Sequence, residues 1–410
     1  MTYAKPLSPS PAAATPWGLV VMLGALTAMG PLAIDMYLPS LPAIGADLNA
    51  STGQTQATVA AFLAGMALGQ FFYGPVSDRF GRRPAVLLGI VVFIVASAGC
   101  ALAASPEQLL LGRFVQALGA CAGGVVSRVI VRDQFDHHDT ARVLSLLMLV
   151  MGLAPILAPL LGGVLLSFGG WRLNFWFMAV FGAILGVAAL LRLRETRSHE
   201  TTLQAQSENP LQAYAALLRQ PRLIGYALAG ALNGATLFTY IASSPELLIE
   251  IYGIPPELFG WVFGLNAVGI IGANQVNRWL LRTRTPDQVL ARASIVAFAL
   301  AAALAFFAVT GLGERWTVLP MLFLVLASYG LMGGNTTAGA LSVDPRRGGS
   351  ASALLGGLSF GAGALASSLT GLFHDGTPRP MALVMFLALG GSMLALRWLA
   401  LPKVSAKPQA

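Results

Sequence analysis

Charge is what this chain has least of. Only 10% of its residues are Asp, Glu, Lys or Arg, against 56% hydrophobic, whereas water-soluble domains carry roughly 25% charged residues. So little polar surface excludes a soluble globular fold and predicts a polytopic membrane protein. Cysteine is nearly absent: Cys100 and Cys121 both fall inside apolar runs. A lone thiol there is a small packed hydrophobe, so neither a disulfide framework nor a metal site follows. Histidine is also rare. His137 and His138 lie beside Asp133, Asp136 and Asp139, but without a Cys or a third convergent ligand they read as a solvated turn. No Gly-x-x-x-x-Gly-Lys-[Ser/Thr] stretch occurs, which excludes a phosphate loop and ATP chemistry built on it. No enzymatic activity is expected.

What the chain has in abundance is long apolar runs. A bilayer core of about 30 Å needs about twenty apolar residues in a helix. That length predicts an all-α membrane fold with spans at 17–41, 54–75, 84–104, 107–131, 141–168 and 171–194, then 222–245, 257–280, 288–311, 316–341, 347–372 and 379–401. About twelve spans result, with one longer polar connection. The expected organisation is a six-helix bundle over 1–194, a linker over 195–220 and a second bundle over 221–410.

The basic residues orient these spans. Nineteen of the 25 Lys and Arg, from Lys5 and Arg79 to Arg347 and Lys407, fall on the loops and termini of one side, and only Arg172, Arg315 and Arg379 on the other. Basic residues accumulate on the cytoplasmic side of short loops, so both termini are expected in the cytoplasm, with the protein in a bacterial inner membrane. The net charge of +8 is scattered over many loops instead of forming one stripe, which points to membrane orientation and away from nucleic acid. The lead Met1 to Pro16 lacks a convincing cleavage site, so the first span is expected to be retained.

Two charges interrupt this apolar pattern. Asp35 stands inside the first span, where an acid at a helix centre costs roughly 2.5–3.5 kcal/mol on insertion scales, and such residues are functional candidates by default. Arg113 is the basic residue lying deep in another span. The first span runs one way and the fourth returns, and each residue lies about six positions from the same side, so the two sit at comparable depth. An Asp35–Arg113 pair poised between desolvation and attraction is a proton switch; a static buried bridge that fixes helix register is the competing reading.

A faint internal repeat follows. The loop after span 2 runs Gly74-Pro75-Val76-Ser77-Asp78-Arg79-Phe80-Gly81-Arg82-Arg83-Pro84, and Asn277-Arg278 with Arg282 recurs after span 8. The Gly74–Pro84 stretch resembles the signature loop of the major facilitator superfamily. That resemblance implies a gate, with Gly74 and Gly81 permitting close turns, Asp78 capping or pairing across the molecule, and Arg79, Arg82 and Arg83 anchoring the loop; a topological anchor alone is the alternative. Leu111 to Gly119, around Arg113, resembles the fourth-helix motif of proton-coupled members. Gly152 to Gly163 resembles the fifth-helix motif of antiporters, in which Pro155 and Pro159 bend the helix and Gly162 and Gly163 allow close packing; packing alone is again the competing reading. Ile34-Asp35-Met36-Tyr37-Leu38-Pro39-Ser40-Leu41-Pro42 resembles the first-helix signature of the Bcr/CflA drug-resistance transporters. The likeness continues through Phe71–Pro75, Val131-Arg132-Asp133 and Ala242–Pro245. A related branch carries a second acid where this chain has Thr27, so a single carboxylate leaves one proton per cycle.

The resemblance implies a monomeric drug/proton antiporter in contact with lipid, drawing on a proton gradient and needing no cofactor. Protonation of Asp35 would drive release of a small drug or metabolite. Inward-facing amides and phenols are the candidate substrate-lining groups: Tyr37, Gln70, Asn233, Tyr240, Asn266 and Asn335, each equally open to a role in bridging helices. Proton-coupled uptake of a metabolite or nutrient uses the same fold and remains the alternative; a non-transporting receptor has no need of Asp35 and Arg113 in the bilayer.

Overall fold

In an α-helix the N–H of residue 39 closes on the carbonyl of residue 35. Pro39 has no N–H, and its ring collides with that carbonyl. The first helix, α1 (Trp17–Asp35), accordingly ends on Asp35. A 3-10 turn at Leu38–Ser40 and a short helix α2 (Leu41–Leu48), with Pro42 in its first turn, carry the chain on. The expected unbroken helix over 17–41 is therefore two helices with a break at Met36-Tyr37.

The structure is a computed structural model and describes residues 17–197 and 210–401. The lead 1–16, residues 198–209 of the expected linker and the tail with Lys403 and Lys407 lie outside the described residues, as do the side chains of His137 and His138. The remaining elements are α3 (Thr52–Phe80), α4 (Arg82–Ala101), α5 (Pro106–Gln134), α6 (His137–Gly169), α7 (Trp171–Arg192), α8 (Pro210–Leu218), α9 (Pro221–Pro245), α10 (Pro256–Leu280), α11 (Pro286–Thr310), α12 (Arg315–Val343), α13 (Gly348–Leu372) and α14 (Arg379–Ala395). No strand occurs among the described residues, and twelve spans are long and apolar enough to cross a membrane. The connection expected as polar linker carries the helix α8.

Local chemistry explains the helix starts. Ser51 with Gln54, and Thr285 with Gln288, form reciprocal capping boxes on α3 and α11. Ser105 caps α5 ahead of Pro106, and Asp136 caps α6. Helix α6 runs unbroken past Pro155 and Pro159.

Helices of the first half, α1 and α3 to α7, pack mainly on one another, as do α9 to α14. Two seams join the halves, α3 on α13 and α6 on α10. The spans holding Asp35, Arg113 and Tyr240 are the most enclosed, with 61%, 61% and 67% of their central windows buried. Large apolar side chains such as Leu68, Val95, Ile184, Leu191 and Leu387 point outward, as a lipid-facing surface requires.

One end of the molecule, where Arg172 and Arg379 lie, is poor in arginine, and here glycines bring the backbones of the two halves together. A Cβ on Gly53 would fall 2.8 Å from the Gly371 carbonyl oxygen, and one on Gly260 would fall 2.8 Å from the Leu160 backbone nitrogen. A Cβ on Gly162 would fall 1.7 Å from the Met36 carbonyl oxygen, so α6 reaches the break after α1 only because residue 162 is glycine. Asn174 on α7 holds the same region, donating to Ser40 Oγ at 2.9 Å and to the Gly162 carbonyl at 3.4 Å.

Gly162→Val is expected to destabilise the fold by about 1–3 kcal/mol or more through overpacking, read as a lower heat-inactivation midpoint. Gly74→Ala, whose Cβ meets nothing within 4 Å, should leave that midpoint unchanged. Equal midpoints for the two variants would contradict the close approach at Met36.

Candidate functional site

Because α1 stops at Asp35, the carboxyl and the following side chains leave the helix in different directions. Asp35 is 3% exposed, and its Oδ1 has no hydrogen-bond partner. The turn that follows it, Leu38–Ser40, packs on α9 and α10 of the second half. Tyr37, two residues on, turns instead into the first half, where its hydroxyl meets Thr58 Oγ1 at 3.1 Å.

Arg113 does not pair with Asp35: no nitrogen of the guanidinium lies within ion-pair distance of the carboxyl among the described contacts. The guanidinium is fully buried on α5 and is held by rings. It stands 4.0 Å from the centroid of Tyr37, 4.2 Å from Phe62 and 5.8 Å from Phe175. Such stacking on aromatic faces suits arginine's planar, weakly hydrated cation. Its Nη1 donates to Gln116 Oε1, and Gln116 in turn donates to Ser97 Oγ at 2.8 Å. The expected Asp35–Arg113 bridge is thus replaced by an aromatic cage, because the break at residue 36 presents Tyr37 to Arg113. Phe62, Phe175 and Gln116 were not legible as partners of Arg113; only the three-residue step from Arg113 to Gln116 on one helix face hinted at that bond.

The structure divides the candidate lining residues. Asn266 donates to Tyr240 Oη at 2.8 Å, and Tyr240 stacks on Phe263 with centroids 5.1 Å apart. Asn335 donates to Asn277 Oδ1 at 2.8 Å and to the Leu331 carbonyl at 2.9 Å, which makes it a bridge between α12 and α10. Gln70 lies in the α3–α13 seam under Gly356. Asn233 is buried with its Nδ2 unpartnered. Tyr240, Phe263 and Asn266 therefore form one polar-aromatic group in the second half, to which Asn335 and Gln70 do not belong.

At the opposite, arginine-rich end the stretch expected as a loop is helical on both sides of Gly81, with α3 running through Gly74 to Phe80 and α4 starting at Arg82, and it bonds within its own half. Arg82 is 2% exposed; it pairs with Asp78, donates to Asp133 Oδ2 at 3.0 Å and to Ser77 Oγ at 3.1 Å. Asp78, expected to pair across the molecule, bonds in this conformation to Arg82 of the same stretch. Arg83 donates to the Leu190 carbonyl at 2.9 Å, and Arg79 lies over its own neighbour Phe80. Glu195, just past α7, closes the arrangement by accepting backbone N–H bonds from Arg82 (2.9 Å), Arg83 (3.2 Å), Thr196 (3.0 Å) and Arg197 (3.0 Å). Arg197 adds a bond to the Arg79 carbonyl at 2.6 Å. Gly81 is required here: its φ is +113°, and a Cβ would fall 2.5 Å from Glu195 Oε2. In the second half the Asn335–Asn277 bond joins α12 to α10, whereas in the first half Arg82–Asp133 joins the start of α4 to α5.

A twelve-span helical protein with a buried, unpaired acid between two halves has the form of a membrane transporter. The sequence profile described as Major Facilitator Superfamily matches residues 23–368, and the chain belongs to that family. It is 35% identical to the uncharacterized MFS-type transporter YdgK of Bacillus subtilis, over 90% of this chain and 92% of that one. It is 30% identical to the bicyclomycin resistance protein homolog of Haemophilus influenzae, over 92% and 94%. The Haemophilus relative agrees with the Bcr/CflA resemblance of the first helix. Among solved structures, a bacterial homolog of the human lysosomal transporter Spinster in an inward-facing conformation superposes with a TM-score of 0.73 at 16% identity, over 92% of this chain and 96% of that one, a likeness of fold. Family members are transporters, not enzymes, and use ion gradients without a cofactor.

Two outcomes test this geometry. Gln116→Leu removes the Arg113 hydrogen bond and leaves a buried donor unmet, which costs about 1–3 kcal/mol, so the heat-inactivation midpoint should fall. Burial works against a charge on Glu195, but its four backbone N–H partners outweigh it and hold the carboxyl below its usual range. A carboxyl lowered in the fold contributes stability above its unfolded pKa and loses it as pH falls through the folded one. Glu195→Ala should therefore melt earlier than the native protein near neutral pH, and the two should converge in acid; an undiminished gap in acid would contradict the strap.

Proposed function

We propose that this protein exports small amphipathic molecules, antibiotics among them, in exchange for protons. The observation that carries the reading is Asp35, a buried carboxyl with an unpartnered oxygen, placed at a helix end between the two halves. An ionised carboxylate without a partner is expensive in a dry interior, so the residue serves best where its proton or its partner changes during a cycle. The name of the Haemophilus relative, which speaks of bicyclomycin resistance, supports a drug as cargo.

The arginine-rich face is the cytoplasmic one in this proposal, which puts residues 1 and 410 inside. The tight contacts at Gly53–Gly371 and Gly260–Leu160 then close the outer side, so that the conformation faces inward. Deprotonated Asp35 accepts substrate from the cytoplasm beside Tyr240, Phe263 and Asn266. The two halves rock, α3 on α13 and α6 on α10, and the site opens outward. A proton from outside then neutralises Asp35, substrate leaves, and the protonated carrier returns to give the proton to the cytoplasm. One carboxyl moves one proton per cycle. Arg113 stays in its cage throughout and supplies a fixed positive potential behind the break, while the strapped 77–83 stretch stiffens the first half and the Pro155, Pro159 and Gly163 stretch of α6 slides on α10.

The test is flux of a small antibiotic panel in proteoliposomes under an imposed pH gradient, for the native chain and Asp35→Asn together. Gradient-driven export should be present in the native protein and fall by about tenfold or more in the variant, the loss of a proton-carrying group being of that order. Undiminished gradient-driven export by a folded Asp35→Asn protein would sink the coupling role, and movement of cargo with the proton instead of against it would favour uptake.

A further inference from the structure

At the arginine-poor end the halves meet through one polar contact that the proposed cycle does not use. Glu246 begins a π-helical turn, Glu246–Ile251, directly after Pro245 ends α9. Its carboxyl is buried. Oε2 accepts from Gln56 Nε2 at 2.6 Å, and Gln56 belongs to α3 of the other half. Oε1 lies 2.6 Å from His374 Nδ1, in the loop after α13, at ion-pair distance without an aligned hydrogen bond. Next to it the backbones of Gly53 and Gly371 touch, and a Cβ on Gly371 would fall 3.3 Å from Gln56 Oε1. Thr52 Oγ1 and Glu250 make a second, longer contact at 3.5 Å. A buried carboxylate at a membrane protein's outer rim, bonded across the joint that must open, is an unusual place to put a charge without a use for it.

We propose that Glu246, His374 and Gln56 form a proton-responsive latch that holds the outer mouth closed. This rests on the alternating-access reading above. With Glu246 ionised, the carboxylate pairs with His374 of its own half and takes a charge-assisted hydrogen bond from Gln56 of the other. Opening removes Gln56 and leaves the acid to water. A proton delivered from outside to Glu246 abolishes the ion pair and weakens the bond to Gln56, so acid on the outer side favours opening at the moment when Asp35 needs access to that same side. His374, with its side chain 30% exposed, gives the proton a route. The charged groups facing Glu246 are His374 and, on its own turn, Glu250. Its other neighbours, Gln56 on α3, Thr370 on α13, Thr377 before α14 and Met381 on it, are neutral. Asp47 on α2 is bonded to Arg172 and Trp171, while Glu257 on α10 and Arg379 on α14 are exposed.

The experiment places spin labels at Ala46→Cys and Leu312→Cys, exposed positions on the two halves at this end, and measures their separation by double electron–electron resonance in lipid nanodiscs. Native Cys100 and Cys121 are buried and stay unlabelled. Near neutral pH the short separation should dominate. Glu246→Gln and, independently, Gln56→Leu should raise the long-distance population by about tenfold, the scale of losing one charge-assisted hydrogen bond. Mild acid should do the same to the otherwise native protein and add nothing to Glu246→Gln. A Glu246→Gln protein that keeps both the native distribution and its acid response overturns the latch, and if that response vanishes in Asp35→Asn alone, the proton acts at Asp35. A separation that no variant and no pH alters overturns alternating access itself, which a failure confined to Glu246→Gln would not.

Discussion

The missing N–H of Pro39 is the constraint on which the rest depends. It ends α1 at Asp35, and the ending does three things together. The carboxyl is left at a helix terminus between the halves, Tyr37 is released to swing over Arg113, and the backbone at Met36 is bared for α6 to approach through Gly162. A continuous helix would have carried residues 35 to 38 round one cylinder in 100° steps, and Tyr37 would have had no separate direction to take.

The chain buries two arginines and treats them differently. Arg113 receives no carboxylate; three rings and one amide surround it. That is enough because a guanidinium is weakly hydrated and gains from aromatic faces. Arg82 receives two carboxylates, Asp78 and Asp133. The difference matters for Asp35: since Arg113 is held by neutral groups, the acid is left without a fixed counter-charge, as the proposed coupling requires. A permanent bridge would have bound the same two residues into a structural element.

The two ends of the molecule are built from different materials. At the arginine-poor end, glycines let backbone touch backbone across the halves, with Glu246 and Gln56 the polar joint among them. At the arginine-rich end the strong bonds run inside each half: Arg82–Asp133 and the Glu195 strap in the first, Arg222–Asp287 at 3.2 Å and Tyr226–Asp287 at 2.6 Å in the second. Each half is thereby stiffened at this end, although Phe71 of the first half still packs against Gly357 of the second. Stiff bodies meeting along seams are what the proposed rocking motion needs, because packed interiors switch between arrangements and do not deform smoothly.

Much of this was written in the sequence. Twelve spans, the all-helical class and the family were legible because apolar length, Pro and Gly are local signals, and each predicted span has its helix within a few residues apart from the break in the first. Even that break was latent in Pro39 and Pro42, had the missing donor been traced back to residue 35. Asp35 and Arg113 were found by a simple rule, that charge in hydrocarbon must have a reason. Their relation was not, since depth along two spans says nothing of the direction in which side chains leave them, and the pair proved to be an acid without a partner and a cation in a cage. Asn335 and Asn266 looked alike as buried amides; only the fold gave each its partner, Asn277 and Tyr240. The contacts of Gln56 with Glu246 and of Glu195 with Arg82 join residues more than a hundred positions apart. The sequence by itself determined which segments are long and apolar enough to enter a membrane, where the first helix stops and that Asp35 and Arg113 are buried, because those follow from covalent chemistry and solvation along the chain. The tertiary structure alone decided which buried groups meet, because partnership depends on the packing of helices against one another, and no single helix carries that information.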